Sequence, residues 1–75
     1  MTKTAKEWIY DYSKALGVAA PSDEEFDQIL ALAAEAAHLS ERTAAPVACW
    51  IAAREGLDAA RATAVAEGLA EGSAD

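Results

Sequence analysis

Alanine fills 21 of the 75 positions, and no other feature narrows the fold of this chain so far. Alanine loses no side-chain entropy in a helix and buries no polar group, whereas the strand formers Thr, Val and Ile are few and scattered. Local propensity therefore favours helix almost everywhere outside the glycines and prolines, and the expected fold class is all-α: a compact, four-helix bundle-like single domain spanning residues 1–75. The same residue limits the core, because alanine lets helices approach closely but contributes little buried area. Sixteen larger apolar residues remain, from Trp8, Tyr12 and Leu16 near the start to Val65 and Leu69 near the end. At a length where a single core barely offsets chain entropy, burial against a partner or a second copy would stabilise the fold.

Punctuation separates four helices, predicted at about 4–17, 23–41, 46–55 and 58–70, with a fraying tail at 71–75. Thr4 with Glu7, and Ser22 with Glu25, have the spacing of capping boxes, in which a hydroxyl accepts from the third amide and a carboxylate reaches back. Gly17 and Gly56 are expected left-handed stops, Pro46 sits in a first turn where its missing amide hydrogen costs nothing, and Asp58 caps the last helix. Helical spacing assigns Trp8, Tyr12 and Leu16 inward in the first helix. In the second it assigns Phe26, Ile29, Leu30, Ala33 and Ala37, widened by Leu32, Ala36 and Leu39. Trp50 is expected to be a major packing residue of an enclosed third helix. Ala62, Val65, Ala66 and Leu69 form the weaker inner face of the fourth.

The polar remainder of the second helix includes Glu35, His38 and Arg42, which step by three or four and so share one narrow face. One reading is a solvated stripe of the kind every surface helix carries. The sharper reading is an interaction patch, Glu35, His38, Arg42 and Pro46, in which the carboxylate orients the imidazole and the guanidinium grips an anionic group on a partner. Tyr10 and Trp50 are candidate interface aromatics, since large aromatics often anchor protein contacts.

Thirteen acidic against six basic residues give a net charge of −7, and the cations are spread rather than clustered. Binding to nucleic acid or to an anionic membrane is not expected. One cysteine excludes an internal disulfide, and with no signal-peptide pattern the expected location is cytoplasmic. Catalytic chemistry finds no support. A structural zinc site needs four thiolate or imidazole ligands where this chain has one of each, Cys49 and His38, and the four glycines are isolated, so neither a metal, a bound cofactor nor a phosphate cradle is expected. Burial beside Trp50 should raise the Cys49 pKa and quench its nucleophilicity.

Lys6-Glu7-Trp8-Ile9, then Ala36-Ala37-His38 with Arg42 four places on, then Ala44-Ala45-Pro46, resemble a small actinobacterial all-helical domain family of unknown function. The resemblance runs over nearly the whole chain. That family occurs alone or as a carboxyl-terminal appendage of molybdenum-cofactor guanylyltransferase-like proteins, which implies a non-catalytic accessory or protein-interaction role near molybdopterin nucleotide chemistry, with such a nucleotidyltransferase as partner. The transferase's own glycine-rich nucleotide loop is absent. Leu39 stands where the family usually has glycine and Thr43 where it often has proline, so the second helix is expected to run on through this stretch. The alternative class is a self-associating helical protein, a homodimer whose second copy covers the Trp50 or fourth-helix surface.

Overall fold

Three of the four helices start at a side-chain cap, and two stop at a left-handed glycine. The computed structural model describes residues 3–72, with side chains through Leu69, and contains α1 (Ala5–Leu16), α2 (Asp23–Leu39), α3 (Ala44–Arg54) and α4 (Ala59–Gly72). The domain is all-α and bundle-like, with no strand among the described residues. Both predicted capping boxes form: the Thr4 hydroxyl accepts from the Glu7 amide at 3.1 Å while Glu7 accepts from the Thr4 amide at 2.9 Å, and Ser22 with Glu25 repeats the same distances. Asp58 accepts from the Arg61 amide at 2.8 Å and opens α4.

The two glycine stops are left-handed, Gly17 at φ 76° and Gly56 at φ 73°. Each carries the paired closing bonds of a Schellman turn, Gly17 to Lys14 with Val18 to Ser13, and Gly56 to Ala53 with Leu57 to Ala52. Helix α4 continues to Gly72, past the predicted onset of fraying at 71. The rest of that predicted tail, residues 73–75, lies outside the described residues.

The sequence pattern and the structure part company over which faces pack. Helix α2 is central, with α3 and α4 laid against it and touching each other only slightly. The meeting faces are the small ones. Leu32 of α2 is 4% exposed and packs with Ala52 of α3 and Ala62 of α4, flanked by the half-buried Cys49 and Ala66. Trp50, predicted to be a major packing residue, is instead 60% exposed, and Val47, Ile51, Val65 and Leu69 lie outside with it. The physical reason is spacing: Cys49 and Ala52 lie on the side of α3 away from Val47, Trp50 and Ile51, and alanine faces allow two helices closer backbone approach than a tryptophan face would.

Helix α1 departs furthest from expectation. It makes no close backbone contact with the other three helices, and Trp8, Tyr12 and Leu16, predicted to point inward, are 54%, 50% and 58% exposed. Only the neighbouring face is occupied, with Ser13 buried and Ile9 half-buried. Lys6 ties the helix to the body, lying 5.4 Å over the Phe26 ring and 3.3 Å from the Asp23 carboxylate. The molecule is accordingly elongated, 46 × 28 × 18 Å.

Candidate interaction surface

Helix α2 ends at Leu39, and this divides the predicted patch. Ser40 donates the last helical bond to Ala36 and then leaves the helix at φ −138°, ψ −106°. The carbonyls of Glu41 and Arg42 accept instead from Ala44 and Ala45, so these residues open α3 rather than prolong α2. Thr43 adds a bond from its hydroxyl to the Glu41 carboxylate at 3.1 Å. The prediction of a helix through residue 41 is thus corrected, and Arg42 stands in a turn off the Glu35–His38 face. Helix α3 starts two residues before Pro46 because none of the first-turn amides needs an intrahelical acceptor, so proline is tolerated throughout that turn.

Of the predicted patch, Glu35 is half-buried, while His38, Arg42 and Pro46 are exposed. Among the described residues no hydrogen bond or ion pair joins any two of the four. What the turn does bring together is a surface that runs from Arg42 and Pro46 into α3. Val47, Trp50 and Ile51 follow at helical spacing as an exposed apolar ridge. The Arg54 guanidinium lies 4.8 Å from the Trp50 ring and is itself held by Glu55 at 3.0 Å, which restrains the indole in place. Tyr10, the other predicted interface aromatic, is 59% exposed on the side of α1 opposite Trp8 and Tyr12, within a shallow acidic and basic depression formed with Lys3, Lys6 and Asp11. Lys3 and Asp11 form an ion pair there.

A second feature was not visible in the sequence. A groove of about 580 Å³ opens between α2 and α3. Ile29, Leu32, Cys49, Ala52 and Ala53 form its walls, and the linker Ala19–Pro21 and the turn at Leu57 border it. Its volume is that of a small-molecule pocket, but such pockets need a few converging polar groups that orient the ligand. Of the three longer polar side chains that line it, Glu25 caps Ser22 and Asp58 caps Arg61, which leaves Gln28 alone to meet a ligand. Burial pushes the Cys49 thiol above its ordinary pKa, so at neutral pH it is a protonated apolar wall group facing the Ile29 carbonyl at 3.9 Å. An apolar surface suits this groove better than a polar ligand does.

Among the described residues no three His, Cys, Asp or Glu side chains gather where they could hold a metal ion, and no helix is long and apolar enough to cross a membrane. Compared with known proteins, the chain matches a family described as a domain of unknown function, DUF6457, over residues 1–75. No curated protein and no solved structure matches it.

Proposed function

The chain belongs to the DUF6457 family over its whole length, and from that premise we propose that it is a non-catalytic protein-interaction domain that docks through the α3 ridge. The observation that carries this reading is the inversion of apolar surface: the buried core is Leu32, Ala52 and Ala62, while Trp50, Val47 and Ile51 face outward. Exposed aromatics beside an arginine are the residues from which binding hot spots are made. Around the ridge Glu41 and Glu55 balance Arg42 and Arg54, so the complementary surface is an apolar patch with a polar rim of mixed charge. The resemblance to domains appended to molybdenum-cofactor guanylyltransferase-like proteins makes such a nucleotidyltransferase, in the cytoplasm, the partner to test first.

The test is calorimetric titration of a purified molybdenum-cofactor nucleotidyltransferase from the same organism with the parent chain and with Trp50→Ala. Because the indole is exposed, Trp50→Ala should melt within a few degrees of the parent while binding weakens roughly thirtyfold or more, as for a hot-spot tryptophan. No heat of binding from the parent would refute the choice of partner. Equal binding by the variant would remove the ridge from the interface.

A further inference from the structure

Besides the α3 ridge, two apolar features lack a partner among the described residues, and their shapes are opposite. One is convex. Trp8, Tyr12 and Leu16 recur every fourth residue along α1, and the first two rings stack at 5.1 Å and 15°, giving a stiff ridge of the kind that helices lay into grooves. The other is the concave groove between α2 and α3. The inner face of α1 is already taken, with Ser13 buried and Ile9 half-buried, so the ridge is the face left over.

Surface area says how much covering is missing. A folded monomer of 7.8 kDa exposes about 4,400 Å², whereas this chain exposes 5825 Å². The excess is roughly 1,400 Å² per copy, and two copies burying it together reach about 2,800 Å², within the range of obligate homodimers. Two aromatic side chains, each able to bury about 150–250 Å², supply the centre of such a contact.

Charge says which surfaces can meet. Lys3, Lys6 and Lys14 outnumber Glu7 and Asp11 by one across residues 3–17, so the remainder of the chain carries the whole −7 and one negative charge more. Two bodies repel each other, but an α1 arm approaching a body is attracted. We propose that the covering partner is a second copy of this chain, each copy laying the Trp8–Tyr12–Leu16 ridge into the α2–α3 groove of the other. The exchange is two-fold symmetric and closes on itself, as an isologous contact must.

Sedimentation equilibrium of the full chain tests this, with helicity followed by circular dichroism. The parent should sediment at twice its 7.8 kDa monomer mass. A variant combining Trp8→Ala and Tyr12→Ala should dissociate at least thirtyfold more readily, and so should Ala53→Glu, which puts a charge into the exposed wall of the groove. An equimolar mixture of the two should recover association, because the intact ridge of one fits the intact groove of the other. A monomeric parent overturns the proposal, as would the arm folding into its own groove. Dimers that survive either variant, or a mixture that fails to recover, also overturn it, since ridge and groove then do not meet. If the arm variant loses its helicity, Ala53→Glu decides alone. Trp50→Ala lies on another face and should leave the mass unaltered, so the nucleotidyltransferase contact and the self-contact fail independently.

Discussion

Leu32→Ala should bring this domain to the edge of unfolding. Among the described residues Leu32 is the one large apolar side chain that is buried, at 4% exposure, and its neighbours in the core are Ala52, Ala62, Cys49 and Ala66. Truncating a buried leucine costs about 2.7–5.0 kcal/mol, the higher values arising where surrounding groups cannot move into the void. Small side chains on helix backbones have nothing to swing inward, so the upper half of that range applies here. A chain of this length has a total stability of about 4–11 kcal/mol, and each kcal/mol shifts its melting temperature by roughly 4–8 °C. Thermal denaturation followed by circular dichroism should therefore show a loss of roughly 15 °C or more. A loss of under about 5 °C would mean that Leu32 is not the centre of the core.

Ala52→Leu should destabilise for the opposite reason. Ala52 faces Leu32 where α3 meets α2, and the alanine sets how closely the two helices approach. A branched side chain there must push α3 outward or force Leu32 from its rotamer, which costs about 1–3 kcal/mol. The two substitutions act on one space. Combined, they exchange volume across the contact, and the double variant should lose less than the sum of the singles by roughly 0.5–3 kcal/mol. Denaturant unfolding of all four proteins measures that coupling. Additive losses would mean that residues 32 and 52 do not share a void.

Helix boundaries were legible in the sequence because caps act locally. The hydroxyls of Thr4 and Ser22, the carboxylate of Asp58 and the positive φ of Gly17 and Gly56 need only their immediate neighbours. Which face of each helix turns inward was not legible. Amphipathic reasoning directs the largest residues to the core, which placed Trp8, Tyr12 and Trp50 there, whereas the contacts run through Ala52, Ala62 and Ala66. Alanine carries so little hydrophobic signal that a packing face made of it is overshadowed by the tryptophan face opposite. The end of α2 failed for a related reason. No glycine or proline marks Ser40, and the stop comes instead from Glu41 and Arg42 serving as the first acceptors of α3, so Arg42 left the face it was predicted to share with His38. The groove draws its walls from two loops and three helices between residues 19 and 59, a span that no local pattern joins.

A small core inside a large apolar exterior is stable when a second copy covers that exterior, and such stability depends on concentration. The direct measurement is the melting temperature of the full chain over a hundredfold range of protein concentration. Coupling of folding to dimerisation predicts a melting temperature that rises steadily with concentration by mass action. A melting temperature that stays constant across the range would contradict it, and would mean that Leu32, Ala52 and Ala62 hold the fold without help from a second copy.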